Sequence, residues 1–549
     1  MHSLSLLSLF FSLAAATSPY APTTTPCPSS PLIRDGNTDL SEREEAYRVG
    51  RKAKADESLA AWLEKQSPGL AASGTLPTLG LSISGGGWRT FLNGAGVMQA
   101  MDERETTTSD AVTSGLLQAL TYHIGVSGGG WLVSSWAGNN FPTVSQLAED
   151  LWKSAFEHGV EAPDGWKALA AYADIAADIV DKKKAGYPTS LNDLWSRLLS
   201  YQLIAGERGG VATRLSGVAG FSNFVERNVA FPIIDANGIN TKAGLCGPTD
   251  NGTVWEFTPY DFGSWNDDVA AWIPIEYLGT AAGDTECTVG FDNLGFVLGT
   301  GSNLFGDSAC VESNPFGEMQ DVLEKLVDVL HDVDEKLDFG RIPNPFKGFN
   351  GTGDEAKEVF WVDELYLVDG GIGLHNDPIA PLLEPARNVS VIFLSDSSAD
   401  EDNFPTGACL IDASWYTKNI SRIADRMPTI PVQEVFFEQG LNKRATFFGC
   451  DEPEAVTIVY LPNVNYTYES NKPTTKFQYD PDETEAMIAN GAETATQNGA
   501  EGWGLCLACA VMMKEEGASL PDGCDACFEQ WCYKAPAPTN LTEPTIRRG

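Results

Sequence analysis

The chain has 549 residues, 43% hydrophobic and 20% charged, which is ordinary globular composition and excludes disordered, fibrous and miniature disulfide scaffolds. Its 36 Lys and Arg face 75 Asp and Glu, a net charge of −39 that excludes nucleic acid as a partner and opposes adsorption to strongly anionic membranes. Neutral or zwitterionic substrates are left, or work at acidic pH.

Residues 1–16 read as a signal peptide: an apolar run from Leu4 to Leu13 broken only by serines, then Ala14-Ala15-Ala16, too short to cross a bilayer. No other stretch approaches the ~18 apolar residues of a membrane helix. The tail, 536–549, is polar and carries no lipid-anchor signal. Asn-x-Ser/Thr glycosylation sequons stand at Asn251, Asn350, Asn388, Asn419, Asn465 and Asn540, in keeping with export. Export makes disulfides the default for the 11 cysteines, and the odd count leaves at least one thiol unpaired within the chain. Cys506-x-x-Cys509 and Cys524-x-x-Cys527 have zinc-knuckle spacing, but oxidising export and the nearby Cys532 favour a stapled helical cap.

After a Pro/Ser/Thr-rich leader over 17–40, Ser41-Glu42-Arg43-Glu44 has capping-box form and opens a charged helix to about Lys65, expected to be a solvated surface helix. Leu79 to Ile83 is a strand that breaks at Ser84-Gly85-Gly86-Gly87, and Trp88 to Met101 has helical spacing. The same unit recurs: Leu116 to Val126 is apolar and β-prone, Ser127 sits on a turn, and Gly128-Gly129-Gly130-Trp131 leads into a second helix. Helices dominate about 144–215. Met319 to Leu337 places an apolar stripe on one helical face, within a second insertion around 315–355 expected to be core-facing or a lid. Glu364 to Val368 is a strand ending at Asp369-Gly370-Gly371, and Val389 to Leu394 is another. The predicted architecture is a single elaborated α/β domain over 41–535, with a central mixed, mainly parallel sheet, flanking helices, and a disulfide-stapled C-terminal helical region.

Gly125-Val126-Ser127-Gly128-Gly129 matches the nucleophile elbow G-x-S-x-G, in which a sharp turn lifts the serine above the sheet and glycines admit the crowded backbones. Gly85-Gly86-Gly87 can aim free N–H groups at a developing oxyanion where a helix begins. Arg89 can hold a phosphate or add positive charge there; the alternative is a surface salt bridge. The base is either His375, in a triad with Asp369, or Asp369 itself with its pKa raised by burial. His123 is expected to pack within its strand, and His158 and His331 lie on peripheral helical segments.

Ser84 to Arg89 (Ser-Gly-Gly-Gly-Trp-Arg), Gly125 to Leu132 (Gly-Val-Ser-Gly-Gly-Gly-Trp-Leu) and Val368 to Gly371 (Val-Asp-Gly-Gly) together resemble the fungal lysophospholipase/phospholipase B family, whose catalytic domain is shared with cytosolic phospholipase A enzymes. Further likeness lies in Phe257–Trp265, Leu298–Phe305, Val391–Asp400 and the C-terminal cysteines, and runs from about Pro22 to Tyr533. The resemblance implies Ser127 as nucleophile and Asp369 as general base without histidine. It also implies an oxyanion hole at Gly86 and Gly87, phosphate or transition-state stabilisation by Arg89, and substrate contacts at Gly128 and Asn376. It implies no metal and no cofactor, substrates presented as lysophospholipids and phospholipids in micelles or membranes, and no obligatory protein partner. Glycine stands at 301 where the family pattern has serine. A serine peptidase using His375 and a non-catalytic lipid carrier are the competing classes.

Overall fold

Residues 17–40 are held to the fold by Ser18, bonded to Asp178 and Asp181, by the buried Tyr20, bonded to Asp193, and by two strand pairings. β1 (Thr23–Pro26) runs antiparallel to β9 (Glu286–Val289), clamped by a Cys27–Cys287 disulfide, and β2 (Arg34–Asp35) pairs with β8 (Ala271–Pro274). The structure, a computed structural model, describes residues 17–239, 252–304, 339–349 and 358–534. The apolar stripe at Met319–Leu337 lies outside the described residues.

Half of the expected capping box forms: Ser41 Oγ accepts the Glu44 amide at 3.2 Å and opens α1 (Glu42–Gln66), while the Glu44 carboxylate accepts from Arg387 and Tyr122. This is not the solvated helix expected from its charges, because Tyr47, Ala55, Leu59, Trp62 and Leu63 form a buried stripe, and two of its charged residues are buried with them. Arg51 donates to the carbonyls of Leu120, Gln118 and Arg227. Glu44 meets the fully buried Arg387 at 3.0 Å, and Arg387 also grips both carboxylate oxygens of Glu256, at 2.6 and 3.0 Å.

The remaining strands are β3 (Leu79–Ile83), β4 (Leu120–Gly125), β5 (Phe231–Ile239), β6 (Val254–Phe257), β7 (Asp261–Ser264), β10 (Gly340–Pro343), β11 (Glu364–Val368), β12 (Val391–Asp396), β13 (Thr446–Phe448) and β14 (Thr457–Pro462). Among the described residues the main sheet runs β13-β14-β12-β3-β4-β5-β6-β7-β8-β2, with the β10–β11 ribbon attached to β5. The sheet is mixed, as expected. "Mainly parallel" holds only for β14-β12-β3-β4-β5, and the pairs outside that block are antiparallel. The reason is connectivity. β6, β7 and β8 follow one another through short turns, which permit antiparallel pairing, whereas parallel neighbours need a crossover.

β3 and β4 are buried along their whole length, which is why they read as unbroken apolar runs. Leu116–Ala119, expected as the start of the second strand, forms one helical turn, α3, before β4 begins at Leu120. Two longer helices follow the glycine turns: α2 (Gly87–Met101) and α4 (Ser127–Gly138). α2 lies against the helix Pro481–Thr496 at backbone contact, and a Cβ on Gly96 would stand 2.6 Å from the Ala492 amide. Helices Val144–Leu147, Lys153–His158, Ala168–Lys184 and Leu191–Leu203 make up the first insertion.

The zinc alternative is overturned. Cys506 bonds Cys527 and Cys509 bonds Cys524, stapling helix Trp503–Met512 to helix Cys524–Trp531, and Cys450–Cys532 ties this cap to the sheet edge beside β13. Cys409 is a free thiol. Cys246 and Cys310 lie outside the described residues. No described helix is long and apolar enough to cross a membrane.

Candidate active site

Both glycine turns leave the carboxyl ends of neighbouring parallel strands, where ligand sites of α/β sheets form. After β3 the chain turns through Gly86 (φ 139°) and Gly87 (φ 63°), left-handed conformations that favour glycine. The turn is sewn to its surroundings: the Ser84 amide donates to Ser395 O (3.1 Å), Ser84 Oγ accepts the Ser397 amide (2.9 Å), and the Gly85 amide donates to Asn376 O (2.9 Å). The Gly86 and Gly87 amides stand at the start of α2, where no intrahelical acceptor exists, and donate to no other group among the described residues.

After β4, Ser127 opens α4 with φ 51°, a conformation rare for a residue with a side chain and the mark of an elbow. Its amide donates to Gly301 O at 3.0 Å, and the Gly129 amide donates to Ser84 O at 3.1 Å. A Cβ on Gly128 would stand 2.8 Å from the Gly87 amide nitrogen, and one on Gly129 would stand 2.7 Å from Ser84 O. The two turns therefore touch backbone to backbone, which is the physical demand behind both glycine runs.

β11 delivers Asp369 to the same place, 1% exposed. Its amide donates to Asn303 O (3.1 Å), its Oδ1 accepts the Gly371 amide (2.6 Å), and it lines the same cleft as Ser127. Burial raises its pKa to about 6, against the lowering effect of the nearby Ser127 hydroxyl and of the Gly371 amide. Gly301 and Asn303 thus clamp the backbones of Ser127 and Asp369 together. Glycine at 301 has a reason too, since a Cβ there would stand 2.6 Å from Asp235 O on β5.

His375 takes no part in this contact. Both its ring nitrogens are buried without a hydrogen-bond partner, its ring packs edge-on to Tyr416 at 3.9 Å, and burial lowers its pKa to about 3. That disposes of a triad geometry. His123 is likewise a buried strand residue, as expected, and His158 is exposed at the end of its helix.

Arg89 is not in a surface salt bridge. It is fully buried, with Nε donating to Ser397 O (2.8 Å) and Nη1 to Lys472 O (2.6 Å) and Thr474 Oγ1 (3.2 Å), while Nη2 has no partner. A Cβ on Gly86 would stand 2.6 Å from that Nη2, so the free nitrogen borders the Gly86 turn. Burial lowers its pKa to about 10, offset only in part by Tyr479, Asp396 and Asp400, none of which is hydrogen-bonded to it. Asn376 is half-buried, its Nδ2 donating to Ser398 Oγ (2.7 Å) and its Oδ1 against the Gly85 and Gly371 turns.

Ser127 lies where two hollows meet. One is an apolar slot walled by Trp131, Trp195, Leu304 and Phe477, with Gly87, Ser302 and Thr474 at its polar end. The other is a cleft lined by Gly86, Asp369, Gly371, Asn376, Asp400, Cys409 and Asp412 among others. Trp195, Thr474 and Phe477 were not picked out from the sequence, because they come from a peripheral helix and a distant loop and adjoin no motif. Asn388, Asn419 and Asn465 are exposed, and Asn251, Asn350 and Asn540 lie outside the described residues.

Comparison with known proteins gives the family and the fold. Residues 79–537 match the family described as the lysophospholipase catalytic domain. The chain is 35% identical to a lysophospholipase of Penicillium chrysogenum, covering 96% of this chain and 91% of the relative. It is also 35% identical to lysophospholipase 1 of Candida albicans, covering 96% and 92%. In structure it resembles human GIVD cytosolic phospholipase A2, with a TM-score of 0.68 at 17% identity over 89% of this chain and 67% of that one.

Proposed function

The chain belongs to the lysophospholipase catalytic-domain family and is a lipid ester hydrolase, and from that premise we propose that it cleaves the acyl esters of lysophospholipids, and of diacyl glycerophospholipids, through a Ser127–Asp369 dyad. Asp369 takes the Ser127 proton as the hydroxyl attacks the ester carbonyl. The Gly86 and Gly87 amides receive the developing oxyanion, Arg89 faces the phosphate or the developing charge, and the glycerol oxygen leaves with the proton held by Asp369. Water, deprotonated by the same carboxylate, then attacks the acyl-enzyme, releasing the fatty acid and restoring Ser127. The carbons next to the ester meet the apolar walls Trp131, Trp195 and Phe477, whose slot of about 10 Å³ must widen to take a longer chain, and the head group takes the cleft beyond Gly86.

The observation that carries this reading is that Ser127, on its elbow, shares a cleft with a buried carboxyl whose pKa is raised to about 6, while the nearby His375 has neither ring nitrogen bonded. Fatty acid release from lysophosphatidylcholine, with chelator present, tests it. Wild-type protein should turn over, Ser127→Ala should lose about 10⁴-fold or more, and His375→Ala should lose little. Release that survives Ser127→Ala would sink the nucleophile assignment, and binding without turnover by the wild type would return the lipid-carrier alternative.

The same proposal includes secretion as a glycoprotein. It is supported by four disulfides among the described residues and by exposed sequons at Asn388, Asn419 and Asn465. Recovery from culture medium of a glycosidase-sensitive protein whose sequence begins after residue 16 is the expected outcome.

A further inference from the structure

A third strand end meets the two glycine turns, and it holds neither member of the dyad. β12 ends at Asp396, and the next residue is already part of the frame of the site: the Ser397 carbonyl accepts Arg89 Nε at 2.8 Å and Thr90 Oγ1 at 3.2 Å, and its hydroxyl accepts Asn93 Nδ2 at 2.9 Å. The Asp396 carboxylate is fully buried. Its Oδ1 accepts the amide and the hydroxyl of Ser398 at 2.8 and 2.6 Å, and its Oδ2 accepts the Tyr460 hydroxyl at 2.9 Å. A hydroxyl whose proton is committed to a carboxylate can only accept on its other side. Asn376 Nδ2 donates to Ser398 Oγ at 2.7 Å, and more weakly to Cys409 Sγ at 3.4 Å. Through Ser398, Asp396 therefore dictates how the Asn376 amide is turned: its nitrogen is drawn to Ser398, and its oxygen is left against Gly85 and Gly371.

Asn376 stands where two turns must keep their spacing. Its carbonyl accepts the Gly85 amide at 2.9 Å, one residue before the Gly86 and Gly87 amides. Its Oδ1 would lie 2.7 Å from a Cβ on Gly371, whose amide holds Asp369 Oδ1 at 2.6 Å. We propose that Asp396 and Ser398 are positioning residues for ester hydrolysis: by fixing the Asn376 amide they set the oxyanion turn at Gly86 and Gly87 against the base turn at Asp369. Both side chains are fully buried and line neither hollow, so they act without touching substrate. The inference rests on the lysophospholipase reading above and adds to it the groups that hold its donors and its base in register.

The test is steady-state fatty acid release from lysophosphatidylcholine, with kcat and KM separated. Ser398→Ala should lower kcat about 10–100-fold, the usual cost of a displacement on the order of 1 Å among reacting groups, with KM changed less than about threefold. In an Asn376→Ala background the same substitution should cost less than about threefold more, because Ser398 acts through Asn376. Asp396→Asn keeps the shape but turns an acceptor into a donor; it should reproduce the kcat loss, and it carries the test where Ser398→Ala does not fold. Ser264→Ala removes an equally buried hydroxyl, bonded to Val254 O at 2.6 Å on β7 and lining neither hollow. It should lower the thermal midpoint by about 2 °C, as Ser398→Ala does, and leave kcat unchanged. A kcat untouched by Ser398→Ala or by Asp396→Asn, a loss confined to KM, full additivity with Asn376→Ala, or an equal kcat loss in Ser264→Ala each overturns the inference and leaves the enzyme reading standing. No release by the wild type overturns the enzyme reading itself.

Discussion

Arg387 and Arg89 are both fully buried, one in the scaffold behind β6 and the other beside the Ser127 turn. Arg387 meets Glu44, both oxygens of Glu256 and the Pro381 carbonyl, lies 5.5 Å from the rings of Tyr122 and Trp265, and is driven well above its ordinary pKa by those carboxylates, which outweigh its burial. Arg89 is given only neutral oxygens, keeps one nitrogen unpartnered, and is pulled down to about 10 by burial. A buried cation surrounded by its counter-charges belongs to the scaffold. A buried cation without a bonded counter-charge fits the role proposed for Arg89, meeting an anion that arrives with the substrate.

That contrast breaks most visibly at Arg387. Arg387→Met strands two carboxylates in the interior and should lower the unfolding free energy by about 3–5 kcal/mol, measured by denaturant titration. Adding Glu44→Gln and Glu256→Gln should restore most of the loss, because the penalty lies in the unpaired charges. Arg89→Met strands no opposite charge. It should cost about 1 kcal/mol of stability but 10²–10³-fold in kcat/KM for a phospholipid ester, the usual worth of one preorganised charge-stabilising donor.

Asp369 sharpens the comparison from the acidic side. Its folded pKa, about 6, lies above the ~4 of an unfolded aspartate, so its ionised form is disfavoured by the fold. The cost is absent below about pH 4, grows between there and about pH 6, and is complete above. Asp369→Asn should therefore raise the unfolding free energy at pH 8 by about 2–3 kcal/mol, with the gain gone by pH 4, while abolishing ester release. In the wild type, kcat/KM should fall about tenfold per pH unit below about 6, where the base is protonated. The optimum expected from this value lies at or above pH 6, a sharper expectation than the acidic one drawn from the net charge and an aspartate base.

The parts of the molecule legible beforehand are those whose cause is local. β3, β4, β11 and the turns after them announce themselves because their strands are rich in apolar and β-prone residues and because backbones in contact require glycine. The role of α1 was hidden because its inward face includes Glu44 and Arg51, whose partners are far away in sequence and make no pattern in the helix itself. β1 and β2 have 4 and 2 residues and owe their existence to β9, β8 and the Cys27–Cys287 bond. The cysteine spacing at 506–509 and 524–527 suits thiolate ligands or cross-linked helices equally, and only the facing of the two helices decides. At the site, Ser127, Gly86, Gly87 and Asp369 were legible as motifs. The slot walls were not, since Trp195 and Phe477 meet edge to face, 6.0 Å apart, from places 282 residues apart in the chain (477 − 195).

This last separation divides the site by what a change of side chain disturbs. The reacting groups ride on the ends of β3, β4 and β11, locked by Gly301 and Asn303, so a change there disturbs chemistry and scaffold at once. The slot proposed for the acyl chain is instead framed by one residue on the buried helix Leu191–Leu203 and one on the loop before Pro481–Thr496. Trp195 donates its indole N–H to Ser302 Oγ at 3.2 Å, between Gly301 and Asn303, so of the two positions Phe477 is the one where a change of side-chain size would reshape the proposed slot with the smaller disturbance to the clamp.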